Sequence, residues 1–249
     1  VKWLLGLIAI SVLLAVAIVV INRQRETPAV GTVADVDPPA VWAQWLEEAV
    51  QGQRDRIITD LPVNDQMLAQ VSRATSLTTL LLDQGIVSDA SLDAVAALPQ
   101  LQHLRLRFSP ITDDGLAELS RCPSLMILNL PHARCTADGV AQLKSMGNLR
   151  QLRLGSELLD DQVSETLAGI HSLRSIHLIG VKITDDGLQK IATLPNLQSL
   201  YLDDSDVTPA GWQWLFDNYP DLHVHVDQHH HDRDPHPHQH ERSSPTAQK

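Results

Sequence analysis

The hexapeptide Ile-Thr-Asp-Asp-Gly-Leu occurs at residues 111–116 and again at 183–188, and the 72-residue offset is three periods of 24. Written in rows of 24, the chain places aliphatic side chains in one column at Leu77, Leu101, Leu125, Leu149, Leu173 and Leu197. A second column is Leu80, Leu104, Leu128, Leu152, Ile176, Leu200 and Val224, and a third is Leu82, Leu106, Leu130, Leu154, Leu178, Leu202 and Val226. An L-x-x-L-x-L pattern at this period belongs to a solenoid with one strand per repeat, in which no single repeat buries enough apolar surface to stand alone.

Each row reads as strand, turn and helix. Leu104 and Leu106 alternate with His103, Arg105 and Arg107, the period of a strand with one buried face, and Ser109-Pro110 ends it. The column Asn64, Ser88, Thr112, Thr136, Asp160, Thr184 and Thr208 consists of good N-cap residues, with Asp113 and Asp114 in the first helical turn of their row. Capping accounts for these aspartates in every row, so neither acid-base chemistry nor a cation site is assigned to them.

A net charge of −11 with no basic stripe sets nucleic acid aside as a partner. Cys122 shares a column with Leu98, Met146, Ile170 and Leu194, and Cys135 with Val87, Ile111, Leu159, Ile183 and Val207, so both read as core thiols in place of aliphatic residues. There is no G-x-S-x-G, H-E-x-x-H, Walker or dinucleotide motif, and His171, Ser172 and Asp160 form a triad only on paper. An enzyme is not expected.

Residues 3–21 carry no charge, long enough at about 1.5 Å per residue to nearly span a bilayer core. Residues 1–22 are read as a transmembrane signal anchor. A cleaved signal peptide is the alternative, because Ala15-Val16-Ala17 has the small-x-small form, although the apolar run continues past it. Flanking charges leave the orientation tied, and an extracytoplasmic folded domain is the expectation for a single-pass protein with an N-terminal anchor. Residues 23–40, with Pro28, Pro38 and Pro39, form a linker. The repeat domain covers 41–227 in about seven repeats, and its first segment, 41–52, is a helix in which Trp42, Trp45, Leu46 and Ala49 fall at helical spacing to cap the open end.

At these residues the chain resembles the leucine-rich repeat family, in its short-repeat, ribonuclease-inhibitor-like or cysteine-containing branch, where I-T-D-x-G-L opens the convex helix. The resemblance covers about 63–227. The position that carries Asn or Cys in the family is here Gly85, Ser109, Ala133, Glu157, Val181 and Ser205, so no asparagine ladder forms and the ascending loop must satisfy its backbone otherwise. The resemblance implies an α/β horseshoe solenoid with a parallel concave sheet and convex helices. It also implies protein binding through outward strand residues, here His103, Arg105, Arg107, Asn129, Arg153, His177, Tyr201 and Asp203. Arg105, Arg107 and Arg153 make half of that face basic within an acidic chain, which suits an acidic protein segment. A solvated face without a partner is the plainer alternative.

From Gln228 the composition turns to histidine, and 228–249 are expected to be disordered. His229, His230, His231, His236, His238 and His240 have the spacing to gather zinc, nickel or copper in a labile site. Three readings follow: a membrane-anchored interaction scaffold, a metal-binding protein using the tail, and a cytosolic adaptor of the ubiquitin-ligase type, the last disfavoured because no F-box-like segment precedes the repeats.

Overall fold

Each 24-residue step along the chain is one step sideways across a sheet. In the computed structural model, which describes residues 37–231, 233 and 234, eight strands lie parallel in sequence order: β1 Arg56–Thr59, β2 Thr79–Leu82, β3 His103–Leu106, β4 Ile127–Leu130, β5 Gln151–Gly155, β6 Ser175–Ile179, β7 Ser199–Asp203 and β8 His223–Val226. The register pairs Leu80 with Leu104, Leu104 with Leu128, Leu128 with Leu152, Leu152 with Ile176, Ile176 with Leu200 and Leu200 with Val224. The columns of the sequence are therefore stacks of touching side chains, and Leu104, Leu128 and Leu200 are wholly buried.

Helical segments return each coil to the sheet: α1 Pro38–Val50, α2 Asp65–Leu68, α3 Leu92–Ala96, α4 Asp113–Leu119, α5 Ala137–Gln142, α6 Val163–Ala168, α7 Asp185–Ala192 and α8 Pro209–Asn218. Most are too short to persist alone. Each packs on the helical segments of neighbouring coils, and their inward Leu116, Leu119, Val140, Leu167 and Leu188 are buried.

The cap residues act partly otherwise than expected. Asn64, Ser88, Thr184 and Thr208 accept from the helix they precede, but Thr112 and Thr136 make no such bond. Their hydroxyls donate sideways. Thr112 Oγ1 and its backbone N–H bond the carboxylate of Asp89, at 2.5 and 3.0 Å, and Thr136 bonds Asp113 in the same way at 2.7 and 2.7 Å. Asp65 holds Ser88, Asp161 holds Thr184 and Asp185 holds Thr208. Each carboxylate thus ties the start of one helix to the next, by charge-assisted bonds.

This ladder explains the glycine of the hexapeptide. A Cβ on Gly115, Gly139, Gly187 or Gly211 would lie about 2 Å from the Oδ1 of Asp89, Asp113, Asp161 or Asp185 respectively. The one interruption obeys the same rule: Ala137 brings no carboxylate, the cap column holds Asp160, whose Oδ1 accepts from the backbone of Gln162, the residue that actually precedes the helix, and Val163 stands where glycine was. Sideways bonding also replaces the missing asparagine ladder in places, since Ser109 Oγ donates to Gly85 O and Ser156 Oγ to Cys135 O.

Both ends are covered. The capping helix starts at Pro38, inside the expected linker, because proline is tolerated in a first helical turn. Trp42 is buried and its Nε1–H donates to Met67 O at 2.8 Å, so it closes the first coil as a cap should. At the other end the expectation of disorder fails for 228–231, while 235–249 lie outside the described residues. Asp227 and Gln228, both with positive φ, make a two-residue turn after which β9 His229–His230 pairs antiparallel with β8. Cys122 and Cys135 are buried free thiols, and burial pushes them up to about 11 and about 12.

The segment 1–22, residues 23–36 of the linker, and His236, His238 and His240 lie outside the described residues. Among the described residues no helix is long and apolar enough to cross a membrane.

Leu128→Ala should cost about 2–5 kcal/mol through the cavity it leaves. Asp113→Ala should cost about 1.5–3 kcal/mol by stranding the Thr136 donors, as read by urea unfolding; a loss within about 0.5 kcal/mol would mean that the ladder contributes nothing.

Candidate interaction surface

Side chains two residues apart on a strand share a face, and parallel register sets equivalent residues about 4.8 Å apart. On the side of the sheet away from the helices this aligns Arg105, Asn129, Arg153, His177, Tyr201 and His225, each paired in register with the next. Before them in the same column stand Ile58, which is exposed, and Leu81, which is buried.

The first half of the row is basic and incompletely bonded. Arg105 Nη2 donates to Asp83 Oδ2 at 2.5 Å, while Arg107 Nη1 stands 4.0 Å from Asp83 Oδ1. Arg105 Nε, Asn129 Oδ1, Arg153 Nε and Asp83 Oδ1 are buried atoms without a hydrogen-bond partner. Such atoms are uncommon in folded proteins because each forfeits its hydration. Arg153 is drawn below the usual guanidinium range by burial, with Arg107 and Arg105 acting in the same direction and Asp203 against them. A cluster of like charges with idle donors favours an incoming anion.

The second half is a stack. His177 and Tyr201 rings lie 5.3 Å apart, and Tyr201 and His225 rings 4.5 Å apart. His177 Nε2 meets Asp203 Oδ2 at 2.8 Å, and the other oxygen of Asp203 accepts from the Gln228 backbone at 3.0 Å. Asp203 is buried by these contacts. It therefore orients His177 and the turn into β9 instead of offering a contact surface, which corrects its place in the expected binding set.

Sequence reasoning missed Phe108. It is 47% exposed although fully apolar, and its φ of 56° is a left-handed conformation that bulky residues rarely adopt. Its ring stacks on His132 at 4.7 Å, the Arg107 guanidinium lies 5.4 Å from its centroid, and its N–H points at His132 Nδ1. Beside it a cleft is lined by Pro131, His132, Ser156, Leu158 and Ile179. A strained, exposed aromatic next to arginines has the composition of an interface anchor. Its only sequence signal was a phenylalanine at the end of a strand, where the family pattern is polar or small in this chain.

Of the expected surface residues, His103, Arg105, Asn129, Arg153, His177 and Tyr201 are part-exposed on one face and Arg107 is exposed beside them. The tail histidines separate. His229 is exposed with Nδ1 on Asp227 O, His231 lies against the Trp212 and Phe216 rings, and His230 joins His223, His225 and Asp234.

Residues 98–120 match a family model described as Leucine Rich repeat. Among solved structures, internalin (inlF) from Listeria monocytogenes aligns with a TM-score of 0.52 and 19% identity over 75% of this chain. The chain spans about half of that protein, 53%. Internalin C2 (inlC2) from the same organism aligns with a TM-score of 0.55 and 18% identity, over 75% of this chain and 85% of that one. At these identities the likeness is one of fold. No curated protein matches the sequence. Repeat register, family model and coil geometry agree on a leucine-rich-repeat fold.

Burial holds His103, His132 and His177 below the ordinary imidazole range. Neighbouring arginines add to this in all three, while Asp203 opposes it for His177. A histidine depressed in the folded state must gain its proton at a cost, so stability present above about pH 6.5 declines as pH falls through the folded values. The melting temperature should drop between pH 7.5 and 5.5, and His103→Gln should make that drop shallower; an unchanged slope would contradict the assignment.

Proposed function

We propose that this protein is a non-enzymatic interaction scaffold that holds an acidic protein segment on its open sheet face. The observation that carries the reading is the cluster of Arg105, Arg107 and Arg153 on the open face, with the part-exposed Arg105 and Arg153 on either side of Asn129 in the register. Carboxylates of a partner would meet these guanidinium groups and relieve the repulsion among Arg105, Arg107 and Arg153. Phe108 supplies an apolar anchor at the rim, where desolvation reinforces the charged contacts.

The uncharged run 3–21 would tether the scaffold to a membrane as a single-pass anchor, with the repeats on the extracytoplasmic side. What supports this is the length and composition of the run. Removing it should shift the protein from the membrane to the soluble fraction; membrane retention of the truncated form, or release of the full chain by alkaline washing, would contradict the tether.

Arg105→Glu with Arg153→Glu should weaken capture of an acidic partner by about 30-fold or more while circular dichroism shows the coils still folded, although loss of the Arg105–Asp83 pair lowers the melting temperature. Unchanged capture would sink the proposal. Phe108→Asn separates stability from binding, because asparagine tolerates left-handed backbone. It should lose partner affinity without losing stability, and a variant that binds normally would remove Phe108 from the surface.

A further inference from the structure

Three imidazoles and one carboxylate converge at the C-terminal end of the open sheet face, in an arrangement that strand register dictates. His223 and His225 are two apart on β8 and therefore point the same way. His230 is the cross-strand partner of His225 in the antiparallel pair with β9. After β9 the backbone N–H of Asp234 donates to His231 O at 2.8 Å, closing a turn that brings its carboxylate back to the cluster. The rings of His225 and His230 lie 4.0 Å apart, those of His223 and His225 4.7 Å, and those of His223 and His230 5.2 Å.

We infer that His223, His225, His230 and Asp234 form a binding site for one divalent transition-metal ion, of which zinc fits best, and that the ion fastens β9 over the last coil. One potential donor atom from each of the four residues lies within 4.8 Å of the others. Tetrahedral zinc at about 2.0–2.1 Å from its ligands sets them about 3.3–3.4 Å apart, so the ion would draw in the farthest donor and ease the nearest pair apart.

Three features point to a cation. The Nε2 atoms of His223 and His225 face each other at 2.9 Å, a separation at which two nitrogen lone pairs require a proton or a metal between them. The Asp234 side chain is fully removed from solvent, a placement that an ionised carboxylate sustains only against positive charge or strong donors. It touches His223 Nδ1 at 3.0 Å and His230 Nδ1 at closer range. That contact fixes the His223 ring so that Nε2 looks into the cluster, as carboxylates do behind metal-bound histidines. Nitrogen donors with one carboxylate suit zinc, nickel or copper, and four protein donors with no open position suit a structural ion rather than a catalytic one.

The location gives the ion a task. The last coil of a solenoid exposes a strand edge and needs a cap. β9 is two residues long and adds little by its own pairing. A metal bridging β8, β9 and Asp234 would hold the cap in place and would also fix the end of the stack that runs through Tyr201, whose ring lies 4.5 Å from that of His225.

The test uses the full chain and zinc ions alone. Calorimetry should find one tight equivalent of zinc in the parent protein and in the triple variant His236→Ala, His238→Ala, His240→Ala, with affinities within about threefold of each other. His225→Ala and Asp234→Asn should each weaken that equivalent by about 100-fold or more. Zinc should raise the melting temperature of the parent by several degrees, and a chelator should reverse it. Absence of a saturable single site, or a site that survives His225→Ala but vanishes with the triple variant, would overturn the inference. Circular dichroism checks that the variants fold. Should they not, cobalt(II) in the parent decides alone: an intense tetrahedral visible spectrum supports the site, and a weak octahedral one refutes it.

Discussion

Parallel hydrogen bonding at a fixed 24-residue offset is the constraint on which every other feature depends. It converts similarity along the chain into adjacency in space, so that a residue's neighbours across the sheet are its own equivalents in the rows before and after. The leucine columns are one consequence. The aspartate ladder on the helix side and the Arg105 to His225 row on the open face are others, built by the same register from different residues. Stability and interaction surface are thus separate columns of one repeat, which lets the second vary while the first is kept.

The two halves of the open face differ in how far they are self-satisfied. Around Arg105, Asn129 and Arg153, buried polar atoms remain without partners. Around His177, Tyr201 and His225, rings stack on one another and Asp203 is engaged on both oxygens. A surface bonded within itself gains little from a partner, whereas clustered like charges gain from an anion. The proposed partner therefore belongs on the basic half, with Phe108 at its rim.

The strand columns were legible because alternation and period reinforce each other over many rows. The outward positions followed directly, since parity alone decides which side a strand residue faces. What escaped was chemistry between rows. A Thr-Asp pair reads as a local cap, and nothing local says that Thr136 bonds an aspartate 23 residues back. The fates of Asp203 and Phe108 were hidden for a similar reason: one is buried by the turn into β9, and the other takes a left-handed backbone without glycine. The histidine segment was misread because its hairpin turns on Asp227-Gln228, which lacks the Asn-Gly or Asp-Gly signal. His223 and His225 alternate with Val224 and Val226 as in any strand with one buried face, and only the hairpin places His230 beside them.

The interrupted rung offers the most direct test of register as the organising constraint. In the intact rungs an aspartate, a Thr or Ser cap and a small residue occur together at fixed offsets, whereas the interrupted one has Ala137, Asp160 and Val163. Ala137→Asp alone would place a carboxylate against the Asp160 charge and the Val163 side chain. Urea unfolding of that variant should show a loss of stability, and the triple variant with Asp160→Thr and Val163→Gly should recover it, with a favourable coupling of about 1–3 kcal/mol. If the three substitutions are simply additive, equivalent residues in successive coils do not act on one another as described.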